Sequence, residues 1–113
     1  RMAQARALHV SAATTAAVKR RQAMLTVVLG KAKAGTQQER NTRRLEWQYP
    51  EGIRVIGEYW PIGGEYDLII VAEAEGVPAT AAVAAWRDVF DFTVIPVITA
   101  EEGLQLIKQM MPK

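Results

Sequence analysis

Hydrophobic and polar positions change period several times along residues 24–113, and these changes predict the secondary structure. Four short runs rich in Val, Ile, Leu and aromatic residues are typical of strands. They are Met24–Ala32, Ile53–Trp60, Tyr66–Glu75 and Phe92–Ile98. Three further segments predict helices: Thr36 to about Gln48, Pro78–Phe90, and Thr99 to about Met111. The sequence therefore predicts an α+β domain with a ferredoxin-like β-α-β-β-α-β order and a C-terminal helix.

Helix starts and turns are marked by short motifs. Thr36 followed by Glu39, and Thr99 followed by Glu102, have the spacing of capping boxes, in which the threonine hydroxyl accepts from the amide three residues on. The segment 61–64 (Pro-Ile-Gly-Gly) predicts a hairpin with a loop of about five residues. An apolar stripe is expected on one face of the second helix. It consists of Val83, Trp86, Val89 and Phe90.

Both faces of the predicted sheet are largely apolar. In the first strand, Thr26 and Val28 would point to one side and Val27 and Leu29 to the other. Two helices can cover only one face of a four-stranded sheet, so the other face needs another layer. We expect a homo-oligomer, most simply a sheet-on-sheet dimer. The alternative is a monomer in which the terminal helix or the N-terminal tail covers that face.

Charge divides the chain into two parts. Residues 1–23 form an Ala/Arg-rich extension with five basic residues and no acid. Residues 24–113 carry nine basic and twelve acidic residues, a net charge of −3, so we expect no nucleic-acid binding by the domain. The extension is interpreted as an assembly arm that contacts a protein partner, a leader or targeting peptide, or a misassigned start upstream of Met24.

The composition excludes several kinds of chemistry. The chain has no cysteine, and its single histidine, His9, lies in the extension. Disulfides, cysteine-bound metals and an in-domain histidine base are therefore excluded. We expect no metal site and no cofactor. No apolar run reaches the roughly 18 residues that span a membrane, and we expect a cytoplasmic protein.

Candidate ligand-binding residues come from the second and third strands. If the strands are regular, Arg54, Glu58 and Trp60 share one face of the second strand. Asp67 and Glu73 share one face of the third. Together with Ile56, Ile69 and Val71, these five residues could line an apolar cavity with a few polar groups. Alternatively, the charges pair across the strands or sit at the rim of the dimer interface. The first helix is very polar, and its arginines could contact an anion or form a solvated face. They are Arg40, Arg43 and Arg44.

Three local motifs in this order resemble a known superfamily. They are Gly57-Glu58-Tyr59-Trp60, Gly64-Glu65-Tyr66-Asp67 and Ile95-Pro96-Val97. Residues 24–110 resemble the dimeric α/β-barrel superfamily, and within it the small domains of unknown function related to GYD-type domains. Glu65 interrupts the Gly-Tyr-Asp tripeptide of those domains. The resemblance implies a homodimer or higher oligomer with a cavity between sheet and helices, and it assigns no catalytic residue.

Function is not fixed by these observations. The first interpretation is an oligomeric small domain that binds a small molecule or a partner protein. The alternatives are a cofactor-independent monooxygenase-type enzyme, and an accessory subunit of a larger complex tethered by the N-terminal extension. A shared fold would not decide among them, because one fold supports many activities.

Overall fold

A computed structural model describes residues 23–112, and the predictions for the N-terminal extension lie outside them except at residue 23. The chain forms four strands and three helices in the order β-α-β-β-α-β-α. The strands are β1 (Met24–Ala32), β2 (Ile53–Tyr59), β3 (Leu68–Ala74) and β4 (Phe90–Pro96). The helices are α1 (Gln37–Glu46), α2 (Gly76–Trp86) and α3 (Ala100–Met110). The predicted α+β class and the order of elements are confirmed.

The strands form one open antiparallel sheet in the order β2-β3-β1-β4. β1 lies between β3 and β4, so it has a hydrogen-bonded neighbour on each side. β2 and β4 are the edge strands, and β2 pairs only with β3. Of the described residues, none forms a second sheet, and the one sheet is open and does not close into a barrel by itself.

Two helix-related predictions needed correction. α2 ends at Trp86 instead of Phe90, because the chain turns there and the Val89 amide donates to the Trp86 carbonyl at 3.0 Å. Phe90 then pairs with Ala32 as the first residue of β4. Of the four predicted stripe residues, Trp86, Val89 and Phe90 are nevertheless buried and Val83 is half-buried, so the prediction of core residues was right for three of them and the helical periodicity was wrong.

The two predicted capping boxes had different outcomes. Thr99 caps α3, since its Oγ1 accepts from the Glu102 amide at 3.0 Å. Thr36 precedes α1 but makes no capping bond; its hydroxyl donates to the Lys33 carbonyl at 2.6 Å. Glu39 does not reach back to Thr36, because Arg43 holds it one turn further along the helix. Local hydrogen bonds and ion pairs compete with capping at α1.

The hairpin loop is also longer than predicted. β2 ends at Tyr59 and β3 begins at Leu68, which leaves residues 60–67 in the connection. Asp67 does not belong to β3, yet its amide donates to the Gly30 carbonyl of β1 at 2.8 Å. The end of the loop is therefore tied to the central strand.

The two faces of the sheet have different surroundings. The inner face looks toward α1 and α2 and contributes Leu68, Ala72 and Phe90 to the buried core. Gly30 lies on this face of β1, where a Cβ atom would come within 3.2 Å of the Phe90 ring. Its missing side chain lets the aromatic rings lie against the strand.

The outer face is the side that α1 and α2 do not cover. Its side chains alternate with those of the inner face along each strand. They include Leu25, Val27, Leu29, Ile69, Val71 and Ile95. All of them are partly or largely exposed in the single chain.

The C-terminal helix α3 has apolar residues that are also uncovered. Leu104 is 58% exposed, Ile107 53% and Met110 75%. None of the residues of α3 is buried, although an isolated helix of this length is marginally stable in water. Among the described helices, none has the length and apolar character needed to cross a membrane.

Candidate functional site

A cavity of about 410 Å³ lies between the inner face of the sheet and helices α1 and α2. Small side chains explain why it is not filled. Ala72 and Ala74 of β3 line it from the sheet, and Ala79 and Ala82 line it from α2. Where alanine faces alanine across the layers of a domain, no larger side chain reaches into the gap, and a void of ligand size remains.

One wall of the cavity is aromatic. The Trp47 ring lies edge-on to Trp86, with centroids 5.5 Å apart, and Phe90 lies 5.4 Å from Phe92. Trp86 and Phe90 join the two pairs at 6.1 Å. Such contacts between rings restrict their movement and make this wall of the cavity rigid.

The polar end of the cavity is built around Glu58. Its side chain is only 13% exposed, and each carboxylate oxygen accepts two hydrogen bonds. Arg44 Nη2 and the Tyr49 hydroxyl donate to Oε1 at 3.1 and 2.6 Å. Arg44 Nε and Trp60 Nε1 donate to Oε2 at 3.0 and 2.8 Å. The carboxylate thus joins α1, the loop after it and the β2–β3 connection.

These hydrogen bonds set the ionisation of the cluster. Burial opposes the charge on Glu58, but the bonds from Arg44, Tyr49 and Trp60 outweigh it and lower its pKa. Burial raises the pKa of the Tyr49 hydroxyl well above its usual range, and the hydrogen bond to Glu58 adds to the effect. At neutral pH the site therefore contains a glutamate anion, an arginine cation and a neutral tyrosine.

A bulge in β2 explains which side chains enter the cavity. Val55 pairs with Ala72 and Gly57 with Val71, so Ile56 is an extra residue without a partner. Side chains after the bulge change face relative to a regular strand. Glu58 therefore points inward, opposite Ile70, whereas Arg54 points outward, opposite Glu73. The prediction that Arg54 and Glu58 share a face was wrong for this reason.

The other predicted residues are also divided between the faces. Arg54 is 68% exposed and pairs on the outer face with Glu73 at 2.6 Å. Trp60 and Asp67 line the cavity with Glu58, but the apolar walls differ from the prediction, since Ile69 and Val71 lie on the outer face. Asp67 Oδ2 accepts from the Ala32 amide at 2.8 Å. Of the five candidates, the structure brings three to one cavity and separates Arg54 and Glu73 from it.

Three arginines of α1 attach this polar helix to the rest of the domain. Arg43 binds Glu39 and Asp88, and its guanidinium lies 5.3 Å from the Trp86 ring centroid. The bond to Asp88 is the main reason why the pKa of Arg43 is raised. α1 has no buried residue, so ion pairs and arginine–aromatic contacts hold it where apolar packing would normally do so.

Arg40 and Arg44 are site residues that the sequence did not place in the cavity. Both line it, one turn apart on α1. Their spacing of four residues, which puts two side chains on one helix face, was a usable signal. The sequence did not show that this face points toward the sheet, because α1 lacks the apolar stripe that normally identifies an inner face.

The arrangement suits binding better than acid–base chemistry. A carboxylate that already accepts four hydrogen bonds and has a lowered pKa is a poor proton acceptor. The apolar walls can hold a hydrophobic body, and the polar end can select among ligands by hydrogen bonding. Across residues 23–112, no cluster of three or more His, Cys, Asp or Glu side chains could hold a metal ion.

Comparison with known proteins gives a family and no closer relative. No curated protein and no solved structure matches the chain significantly. The resemblance to dimeric α/β barrels and GYD-type domains therefore stays a prediction. A family model matches residues 24–111, which contain every strand and helix described above. The chain belongs to the family described as "Domain of unknown function (DUF3303)".

Proposed function

We propose that this protein binds a small, largely apolar molecule in the cavity between the sheet and helices α1 and α2. The supporting observation is the cavity itself, with about 410 Å³ of space, an aromatic wall and a hydrogen-bonded carboxylate at one end. Small-molecule sites typically have about 300–1,000 Å³, apolar walls and few polar groups. An unfilled space of this size lowers stability, since larger side chains that filled it would add packing contacts.

The monooxygenase-type alternative has less support. Removal of a substrate proton would need a free base in the cavity. Glu58 is engaged by Arg44, Tyr49 and Trp60, and Asp67 accepts from the Ala32 amide. The accessory-subunit alternative depends on the N-terminal extension, which lies almost entirely outside the described residues. Ligand binding is therefore the function that the described geometry favours.

The binding proposal is tested with N-phenyl-1-naphthylamine, a neutral three-ring dye whose fluorescence rises in apolar sites. We expect saturable binding of one dye per chain. Ala82 lines the cavity, whereas Ala84 is exposed on the same helix. Ala82→Phe should weaken dye binding at least tenfold by filling the cavity. Ala84→Phe is the matched control and should leave it unchanged. Equal affinity in both variants would rule out the cavity as the binding site.

We also propose that the outer face of the sheet packs against the same face of a second copy. The support is a set of apolar side chains that neither α1 nor α2 covers, with Val27 and Val71 paired at the centre. One face of a sheet with four strands of about seven residues has an area of roughly 400 Å². A stable interface buries about 800 Å² per partner, so the exposed apolar residues of α3 would have to contribute as well.

Light scattering tests this assembly. A single chain has a mass of 12.5 kDa, and we expect twice that value at micromolar concentration. Val27→Lys should give a folded monomer, because it places a charge at the centre of the proposed interface. Gln38→Lys, at an exposed position of α1, should remain dimeric. A wild-type monomer would refute the dimer without affecting the cavity proposal.

A further inference from the structure

Arg40 is held in a fixed position at the wall of the cavity. Its Nε donates to the Thr36 hydroxyl oxygen at 2.9 Å, and its guanidinium lies 5.6 Å from the centroid of the Phe90 ring. The Thr36 hydroxyl in turn donates to the Lys33 carbonyl. A guanidinium that stacks on a ring and is fixed at Nε has lost much of the freedom of an ordinary surface arginine.

The outer end of this guanidinium is available to a ligand. Within residues 23–112, Arg43, Arg44 and Arg54 each pair with a carboxylate, whereas Arg40 has none within 4.0 Å. Its only side-chain hydrogen bond to a described residue is the one from Nε. The two terminal nitrogens therefore keep four N–H donors arranged for a planar, two-point contact with an anion.

Arg40 also stands where the cavity meets the surface. It lines both the apolar cavity and a neighbouring surface depression formed by the β1–α1 connection and α1. The side-chain amides of Gln37 and Asn41 line the same two spaces and can donate to an anion beside it. A ligand with its apolar part inside the cavity would place a terminal charged group at this position.

The charged side chains that line the cavity are two arginines and two carboxylates, so the attraction for an anion comes from Arg40 locally and not from a net charge. Glu58 is neutralised by Arg44, which leaves Arg40 and Asp67 as the other charged side chains of the lining. Asp67 has one carboxylate oxygen on the Ala32 amide and forms no ion pair with a described residue. Its charge weakens the attraction of Arg40 for an anion, so removal of that charge should strengthen binding.

We propose that the ligand is an amphipathic organic acid, with its apolar body in the cavity and its anionic group bound by Arg40. This rests on the proposed function and adds a chemical class to it. A carboxylate, a sulfonate or another oxyanion would satisfy the two terminal nitrogens of the guanidinium. Specificity arises because a neutral analogue leaves these donors without the charged partner that they are placed to receive.

Two dyes with the same ring system test the proposal. 8-Anilino-1-naphthalenesulfonate carries a sulfonate, and N-phenyl-1-naphthylamine lacks it. We expect the wild-type chain to bind the sulfonate about tenfold more tightly, as a charge-assisted contact of about 1.4 kcal/mol would give. Arg40→Met should abolish this preference and change the affinity for the neutral dye less than about twofold. Arg87→Met, at an exposed position beyond α2, is the matched control and should behave as wild type.

Further variants distinguish failure of the Arg40 assignment from failure of the cavity proposal. Arg40→Lys keeps the charge but lacks the planar guanidinium, so its preference for the sulfonate should lie between those of the wild type and Arg40→Met. Asp67→Asn should increase it. Equal wild-type affinities for the two dyes, or an unchanged preference in Arg40→Met, would overturn the assignment of Arg40. If Ala82→Phe left the neutral dye bound as tightly as before, the proposed function would fail instead, because the dye would not be in the cavity.

Discussion

Two glutamates of the β2–β3 hairpin, Glu58 and Glu73, form ion pairs with arginines but in opposite surroundings. Glu58 is 13% exposed, receives four hydrogen bonds and joins three segments of the chain. Glu73 is 43% exposed, and its polar partner among the described residues is Arg54 on the neighbouring strand. The residue types are the same, so the difference comes from the face of the sheet on which each residue lies.

This comparison shows how burial changes the contribution of an ion pair to stability. An exposed pair remains solvated and screened whether or not it forms, so its loss costs little. A buried carboxylate with several donors cannot be removed alone, because the donors are then left without partners. The Glu58–Arg44 pair on the inner face should therefore hold α1 on the sheet. The Glu73–Arg54 pair on the outer face should contribute almost nothing to stability.

The largest effect is expected from Glu58→Gln. The amide keeps the shape of the side chain, but it removes the charge and directs N–H groups at donors such as Arg44 or Trp60. We expect a loss of about 2 kcal/mol in unfolding free energy, less than for a fully buried pair because Arg44 is 40% exposed. This corresponds to a fall of roughly 10 °C in Tm, measured by circular dichroism at pH 7. A change below about 2 °C would contradict the assignment.

The pH dependence of the same variant gives the next effect. The pKa of Glu58 is lowered in the folded protein, so its ionisation contributes stability above its unfolded pKa of about 4.3. That contribution is lost as the pH falls through the folded value. The stability difference between wild type and Glu58→Gln should therefore be constant near neutrality and shrink below about pH 4. Urea titrations at several pH values measure it, and a difference independent of pH would contradict this origin.

Deletion of Ile56 should have a smaller effect. Ile56 is the extra residue of the bulge and 50% exposed, so the ladder can close without it while Glu58 still points inward. We expect a loss of no more than about 1 kcal/mol, since a partly exposed side chain and a local twist are removed. Deletion of Val71 in the central part of β3 is the control and should prevent folding, because it reverses the faces of the following residues. Equal damage from both deletions would show that the bulge itself is required.

The smallest effect is expected from Arg54→Met. Glu73 is 43% exposed in the single chain, so in the monomeric Val27→Lys background the Tm and the binding of both dyes should be unchanged. A change in self-association alone would support the outer face as the dimer interface. A loss of dye binding with unchanged stability would instead return Arg54 to the ligand site and contradict the separation of the two faces.

Much of the fold could be predicted from local sequence patterns. The aliphatic runs located all four strands, and Thr99 with Glu102 located the start of α3. These features depend on interactions between residues close in the chain. The cap at Thr36 was predicted wrongly because competing local interactions replaced it: Thr36 donates to the Lys33 carbonyl, and Arg43 holds Glu39. The end of α2 was predicted wrongly because a distant contact decided it: Phe90 pairs with Ala32 in the ladder with β1.

The candidate site also has features that the sequence determines and features that only tertiary contacts determine. The sequence by itself determined the residue types: alanines that leave space, aromatic residues that form a wall, and an excess of arginine on a polar helix. Tertiary structure alone decided which of them meet. One unpaired residue at Ile56 moved Glu58 inside and left Arg54 outside, since side chains alternate along a strand and a single insertion reverses every later position. Strand pairing is a long-range interaction, and no local pattern in β2 marks which of its residues is left unpaired against β3.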